Sequence, residues 1–179
     1  MSEPGRHLSR SVRKTHEAIL TTFNGVVLKG RYAELNVREL ARKAGVGRST
    51  FYHHFDDKTA LLVESLYPIL SLIANAAAGK NAPELPRVLA HFEEQRASAL
   101  RLFRSAAERA AIESALANLI EQQLPRGVAL PRDAVASTLS RMTIGLIVDW
   151  LVADRRAGRD EFAAVLAKTA LACRGALLA

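Results

Sequence analysis

The sequence has little cysteine, few aromatic residues and no long uncharged run. Its 179 residues include one cysteine, Cys173, which excludes an intramolecular disulfide framework and any zinc site built on several cysteines. The longest stretch without Lys, Arg, Asp or Glu, 65–79, is shorter than the ~20 residues that span a bilayer. No apolar segment follows the basic residues near the N-terminus, so no secretory signal is expected. We therefore predict a cytoplasmic protein with no membrane span.

The composition is sufficient for one or two small domains. The chain is 49% hydrophobic with only 10 Gly and 6 Pro, and a chain of this length buries about 70% of its unfolded surface. Its size excludes a large multidomain enzyme. We recognise no cluster of acid, base and nucleophile, so we predict no catalytic residues, no cofactor and no enzymatic activity.

The positive charge is concentrated in the first third of the chain. The net charge is +7, and residues 1–54 hold 10 Lys and Arg against 4 Asp and Glu, whereas residues 55–179 hold 15 against 14. This distribution is typical of a module that binds a polyanion, joined to a second module. The alternative is a solvated face that happens to be basic.

The spacing of apolar residues predicts an all-α fold, with no convincing strand alternation. We predict a flexible basic tail at 1–10, a domain at 11–56 and a second helical domain at 57–179. The first predicted helix runs from about residue 10 to Lys29, and Gly30 is placed to end it. Ser105 with Glu108 forms a capping box that opens a later helix. The other predicted helices are 37–44, 48–54, 58–78, 83–97, about 131–157 and about 160–178.

Residues 36–55 have the pattern of a helix-turn-helix. Asn36 followed by Glu39 is a capping box for the first helix, and Gly45 relieves the turn after it. The second helix presents hydrogen-bonding side chains outward with no acid among them, and these suit phosphates and base edges. They are Arg48, Ser49, Thr50, Tyr52 and His53. A chance helical hairpin in an all-α protein is the alternative interpretation.

The motifs between residues 15 and 62 match a known family in order and spacing. They are Gly30-Arg31-Tyr32, Val37-Arg38-Glu39-Leu40-Ala41, Ala44-Gly45-Val46 and Ser49-Thr50-Phe51-Tyr52-His53-His54-Phe55, followed by Lys58 and Leu61-Leu62. The stretch resembles the DNA-binding domain of the tetracycline-repressor (TetR/AcrR) family of bacterial transcriptional regulators. The resemblance implies a homodimeric repressor that reads a palindromic operator in double-stranded DNA.

The resemblance also implies a role for each matching residue. Asn36, Val37 and Arg38 would meet backbone phosphate. Arg48, Ser49 and Thr50 would open the recognition helix in the major groove, with His53 near bases. Tyr52, His54 and Lys58 would hold phosphates.

Two other interpretations use the same residues. Adjacent His53 and His54 diverge by ~100° on a helix, unlike the i, i+4 pair common in zinc sites, so we predict no metal site. A nonspecific nucleoid-type protein would use the same basic third of the chain, but its DNA affinity would not depend on sequence.

The last two predicted helices suggest a dimer interface. Val135, Leu139, Met142, Leu146 and Trp150 form one apolar stripe on the first helix, and a second stripe broadens it. Because one neighbouring element cannot cover so wide a surface, we predict that helices 131–157 and 160–178 pair with their copies in a four-helix bundle. A deeply buried core pair is the alternative. Cys173 is expected to be a small buried side chain.

The predicted helices between the DNA-binding domain and the last two helices would enclose an effector pocket. The expected ligand is an unknown, largely hydrophobic small molecule. Aromatic and Met residues at helical spacing also suit plain core packing. The candidate lining residues are Tyr67, Leu70, His91, Phe92, Gln95, Phe103, Ile112, Met142, Leu146 and Trp150.

Overall fold

The computed structural model describes residues 10–27, 32, 34–126, 130–153 and 157–178. These ranges form nine α-helices and contain no strand, which confirms the all-α class. The predicted tail 1–10 lies outside the described residues except for Arg10, and the predicted helix stop at Gly30 lies outside them too. The helices are α1 (Arg10–Val27), α2 (Val37–Lys43), α3 (Arg48–His54), α4 (Lys58–Ala77), α5 (Leu85–Glu94), α6 (Arg96–Arg104), α7 (Ala106–Glu121), α8 (Arg132–Val152) and α9 (Arg159–Leu178).

The chain divides into two compact units between Ser65 and Leu66, within α4. The first unit contains α1 to α3 and the start of α4. The second contains the rest of α4 and α5 to α9. The predicted domain boundary after residue 56 remains a prediction.

The core of the first unit follows from the apolar spacing of its helices. Ile19 and Phe23, one turn apart on α1, are completely buried. Phe51 and Phe55, also four residues apart, are buried with ring centroids 5.8 Å apart. Leu40, Ala41, Leu61 and Leu62 complete this core. Because α3 buries only its phenylalanine side, its other side remains available to solvent.

The second unit is built around α8. This helix packs along α7 and also contacts α6 and α9. Ser140, buried on α8, donates a hydrogen bond of 2.6 Å to the carbonyl of Glu113 on α7. Trp150 stacks on Phe162 of α9, with ring centroids 4.8 Å apart and planes within 4°. Three neighbours within the chain therefore cover much of the apolar surface of α8.

Two predicted helix boundaries in this unit are wrong. The predicted helix 83–97 is interrupted at Gln95, which caps α5, and a separate α6 follows, anchored by Arg96 Nε donating to the carbonyl of Leu151 at 2.6 Å. The helix predicted to reach 157 ends at Val152. Near the end of this helix, the indole Nε1 of Trp150 donates a hydrogen bond of 3.0 Å to the carbonyl of Ala157, which lies beyond the helix. The first of these contacts joins residues 55 positions apart in the chain, and the second joins residues seven apart.

The capping box predicted at Ser105 differs from expectation in one detail. Ser105 is the residue before α7, as predicted, but its side chain makes no cap hydrogen bond to the backbone. Its hydroxyl donates instead to the carboxylate of Glu108. The position of the helix start is therefore confirmed, while the reciprocal bonding of a capping box is not formed.

Two helices, α4 and α8, are long and apolar enough to cross a membrane by length and composition. Neither forms a long uncharged run in the sequence, because Glu64 interrupts α4 and Arg141 and Asp149 interrupt α8. In α8, half of the apolar window is buried inside the protein, and in α4 39% is. Core helices of soluble proteins have the same properties, so these helices are weak evidence for a membrane span.

Candidate nucleic-acid interface

A glycine turn fixes how α2 and α3 meet. Gly45 adopts φ +70°, in the left-handed region that side chains disfavour. The amide of Val46 donates to the carbonyl of Ala41 at 2.9 Å, and the amide of Gly45 donates to that of Arg42 at 3.2 Å. This pair of bonds is the Schellman motif, which ends a helix and reverses the chain. The turn predicted from Gly45 is therefore formed, and α3 begins three residues later.

The side of α3 opposite its phenylalanines is polar and exposed. Arg48, Ser49 and His53 are exposed, Thr50 is half-buried and Tyr52 is 48% exposed. The Tyr52 ring packs edge-to-face against the buried Phe51 ring, with centroids 5.5 Å apart. The seven residues of α3 include no Asp or Glu. This face can therefore offer donors and positive charge to a polyanion.

The face of α2 next to this turn is also basic. Asn36 caps the helix by accepting the amide of Glu39 at 2.8 Å, as predicted. Val37 is half-buried and Arg38 is exposed. Arg42, one turn after Arg38, is exposed as well, and the sequence interpretation missed it although its i, i+4 spacing from Arg38 was visible.

Glu39 is the one acid of α2, and it is paired within the helix. Its carboxylate lies 2.7 Å from Lys43 Nζ, at the i, i+4 spacing. An exposed pair of this kind contributes little stability. It does, however, offset the negative charge that Glu39 would otherwise present beside Arg38 and Arg42. The pair therefore preserves the basic character of this surface.

His54 ends α3 in a crowded, half-buried environment. Its ring lies 5.5 Å from that of His16 on α1 and 5.9 Å from that of His53. Burial, together with the nearby charges of His16 and His53, lowers the pKa of His54 below its usual 6.5, although Glu64 opposes this. The free protein therefore holds His54 largely neutral at pH 7, and a bound phosphate would favour its protonation.

Lys58, the first residue of α4, points toward the backbone of its own unit. Its Nζ lies 3.4 Å from the carbonyl oxygen of Tyr32 and 3.5 Å from that of Leu35. It also lies 4.5 Å from the centroid of the Tyr32 ring. The predicted contact of Lys58 with phosphate remains a prediction, and it would compete with these three contacts.

The residues predicted to line an effector pocket are dispersed through the second unit. The rings of Phe92 and Phe103 lie 6.3 Å apart, and His91 lies next to Phe92. Trp150 is engaged with Phe162. The others range from buried (Leu70, Ile112) through half-buried (Gln95, Met142, Leu146) to 55% exposed (Tyr67). None of the ten lines the groove of about 430 Å³ between α7 and α8.

The predicted dimer surface retains apolar side chains on α9. Val165 is 47% exposed and Leu171 52% exposed, and Ala164 and Ala172 are exposed with them. On α8, Val152 is exposed, and Met142 and Val148 are half-buried. Cys173, expected to be buried, is only half-buried because α9 turns that side partly toward solvent. Within the described residues, no group of three or more His, Cys, Asp or Glu is placed to hold a metal ion.

A capped helix, a left-handed glycine turn and a second helix with an exposed, acid-free face define the first unit as a helix-turn-helix domain. A family model described as bacterial regulatory proteins of the tetR family matches residues 29–64. The HTH-type transcriptional regulator EthR of Mycolicibacterium smegmatis is 36% identical over 67 residues, which are 37% of this chain. The matched segment spans about a third of that curated relative, 31% of its length.

Solved structures of TetR-family regulators share the fold of the whole chain. A regulator from Streptococcus agalactiae is 23% identical with a TM-score of 0.56, covering 90% of this chain and 96% of that one. A regulator from Streptomyces coelicolor is 19% identical with a TM-score of 0.57, covering 96% and 99%. FadR of Thermus thermophilus, solved with lauroyl-CoA, is 17% identical with a TM-score of 0.54, covering 87% and 93%. The first unit is therefore similar to the DNA-binding segment of tetR-family regulators, and the whole chain shares the fold of these solved structures.

Proposed function

We propose that the chain is a sequence-specific transcriptional repressor that binds a palindromic operator as a homodimer. The observation that carries the proposal is the exposed, acid-free face of α3, on a helix-turn-helix whose α2 also exposes Arg38 and Arg42. A recognition helix must enter the major groove, which admits an α-helix with its side chains. The exposed side chains of α3 are hydrogen-bond donors and acceptors suited to that role.

In this proposal, the start of α3 contacts bases, and α2 with the rest of α3 contacts phosphates. Arg48, at the start of α3, has the fork of donors that pairs with guanine O6 and N7, and Ser49 and Thr50 can bond base edges. Arg38 and Arg42 on α2, with Tyr52 and His54 on α3, supply phosphate contacts that fix the register on the duplex. Sequence preference then depends on α3, and the salt dependence of affinity depends on the phosphate contacts.

Homodimerisation would place two recognition helices on one face of DNA. Successive major grooves are ~34–36 Å apart, so a palindrome needs two copies of α3 at that or a related spacing. The exposed apolar residues of α9 and the end of α8 form a surface that a second copy could cover. Small residues such as Ala164 and Ala172 permit close helix approach there. We therefore assign the interface to α8 and α9.

The second unit would bind a small, largely hydrophobic effector that releases the operator. The neighbour FadR was solved with lauroyl-CoA, a ligand in which only the lauroyl chain is hydrophobic. The ten residues predicted to line the pocket are mostly apolar. An effector can bind more tightly to a conformation in which the two α3 helices of the dimer have a different spacing. The difference between its binding free energies for the two conformations is then the amount by which operator binding is weakened. α4, continuous from Lys58 to Ala77, is the covalent connection between the two units.

Binding to duplex DNA tests the proposal. Purified full-length protein is titrated with DNA from upstream of its own coding sequence and with a scrambled duplex of equal length, near physiological salt. A preference on the order of a thousandfold supports a specific repressor. Equal affinities that fall steeply with salt indicate the second candidate, a nonspecific nucleoid-type protein using the same basic residues.

A further inference from the structure

Four side chains from the first unit meet at the C-terminal end of α3. The imidazole of His16, on α1, stacks on Phe55 with centroids 4.7 Å apart, and its Nε2 donates a hydrogen bond to the carboxylate of Glu64 on α4. The fourth side chain is His54, whose ring lies 5.5 Å from the His16 ring. Because an aromatic ring and a carboxylate both hold His16, its imidazole has a fixed place beside His54.

On balance, the surroundings of His54 disfavour its protonation in the free protein. The titratable groups that face it are His16 from α1, His53 from α3 at a ring distance of 5.9 Å, and Glu64 from α4. Burial lowers the pKa of His54 most, and the charges of His16 and then His53 lower it further. Glu64, which is bonded to His16, raises this pKa with the smallest effect of the four. The free protein thus offers His54 little negative charge to balance a proton.

A DNA duplex would supply that negative charge. In the proposed function, His54 contacts a backbone phosphate. A hydrogen bond from an imidazolium to a phosphate oxygen joins opposite charges, so it is stronger than the bond from a neutral imidazole. A phosphate beside His54 therefore favours the protonated ring, and the added proton comes from the solvent.

We propose that His16 is a positioning residue for the phosphate contact of His54, and that through this pair DNA binding is coupled to the uptake of a proton. Held by Phe55 and Glu64, the His16 ring disfavours a proton on His54 until a phosphate is bound. Because binding takes up a proton, DNA affinity increases as the pH falls from 7.5 to 6. The inference rests on the proposed function for the phosphate contact.

Proton NMR of the imidazole groups measures the protonation of His54 in the wild-type protein. The His54 resonance is assigned by its loss in His54→Gln and is followed from pH 5.5 to 8, with and without duplex DNA. We expect His54 to titrate at higher pH in the complex than in the free protein. The same titration in both states overturns the proposal, and this comparison needs no variant of His16 to fold.

His16→Phe tests the role of His16 without DNA. Phenylalanine keeps an aromatic ring for the stack on Phe55 and removes the charge. We expect His54 of this variant to titrate at higher pH than in the wild type, because a like charge beside it is gone. Glu17→Gln is the matched control: it removes a charge at the next position of α1, where Glu17 is exposed and ion-paired with Arg13 at 3.9 Å. This control leaves the titration unchanged, and an unchanged titration in His16→Phe overturns the role of His16.

His16→Arg separates the charge of His16 from its packing. An arginine retains a positive charge and can still donate to the carboxylate of Glu64. We expect His54 of this variant to titrate no higher than in the wild type. If His16→Arg raises the titration of His54 as much as His16→Phe does, lost packing explains both shifts, and the proposal is overturned.

Affinity measured against pH tests the coupling itself. We expect the wild type to bind operator about three- to tenfold more tightly per protomer at pH 6 than at pH 7.5, the effect of up to one unit of pKa shift on binding. His54→Gln should lose most of this increase. An increase of the same size in His54→Gln assigns the pH dependence to other groups and overturns the proposal.

Failure of the proposed function has a different signature. If the wild type shows no preference for operator over a scrambled duplex, sequence-specific binding fails. The scrambled duplex carries the same phosphates, so its affinity between pH 6 and 7.5 still decides whether binding takes up a proton on His54. The two failures are therefore distinguishable.

Discussion

The imidazole ring of His16 stacks on the phenyl ring of Phe55, with centroids 4.7 Å apart and planes 26° apart. His16 belongs to α1 and Phe55 caps the C-terminus of α3. The same imidazole is hydrogen-bonded to the carboxylate of Glu64 on α4. His16 of α1 thus contacts both the C-terminal end of α3 and α4, next to the half-buried His54.

The lowered pKa of His54 should make stability depend on pH. Because the pKa of folded His54 lies below 6.5, the unfolded chain binds more protons near and below that pH, and the unfolding free energy rises with pH. Acidification from pH 7.5 should therefore destabilise the protein as the pH falls through 6.5, until the pKa of folded His54 is passed. Denaturant melts of the wild type and of His54→Gln, from pH 5.5 to 7.5, should show a weaker dependence in the variant. An equal dependence in both would contradict the account of His54.

A side chain at Gly45, in the turn between α2 and α3, should destabilise the protein. Gly45→Ala forces a side chain into φ +70° and should cost about 1–2 kcal/mol of unfolding free energy. Gly25→Ala is the matched control, because Gly25 lies inside α1 and an added Cβ meets nothing within 4 Å. That change should stabilise the protein by about 0.5–1 kcal/mol. Thermal melts of both variants measure the difference, and equal effects would show that the turn does not constrain the fold.

Replacing Arg48 with methionine should affect DNA binding differently from replacing Arg38 with methionine. Arg48→Met should cost about 1–3 kcal/mol on the operator and relax specificity at the base it reads. Arg38→Met should weaken operator and scrambled duplexes about equally, with a salt slope lower by about 0.9. Titrations at several salt concentrations separate the two patterns. If both variants behave alike, α3 and α2 do not divide base and phosphate contacts as proposed.

A charge on the exposed face of α9 should break the dimer. Val165→Glu places a carboxylate in the proposed interface, where burial without a partner is costly. We expect a monomer in sedimentation at concentrations where the wild type is a dimer, together with weaker operator binding. Ala107→Glu, on the exposed start of α7, is the control and should remain dimeric. A dimeric Val165→Glu would exclude this part of α9 from the interface.

The sequence predicted best what its local spacing determines. The bounds of α3 were predicted correctly because Gly45 and Gly47 precede it and Phe51 and Phe55 define its inner side. The break at Gln95 was missed because neither Gly nor Pro marks it. The anchor of α6 to Leu151 joins residues 55 positions apart.

The same limit applies to the candidate site. The exposed donors of α3 follow from helical periodicity, and the structure exposes most of them. The partners of Lys58 lie 26 and 23 residues earlier in the chain, so no local pattern could indicate them. Likewise, the contacts of His16 with Phe55 and Glu64 join three helices that only the tertiary fold brings together.

Selection of binding sites from random duplexes, with the full-length protein as bait, tests sequence-specific binding by a dimer most directly. We predict enrichment of one inverted repeat whose half-site centres are about 10–10.5 base pairs, or a related spacing, apart. Arg48→Met should change the preferred base within each half-site and leave the spacing unchanged. Sequencing that shows no enriched motif, with retained duplexes as varied as the input, would contradict the assignment of α3 as a base-reading helix.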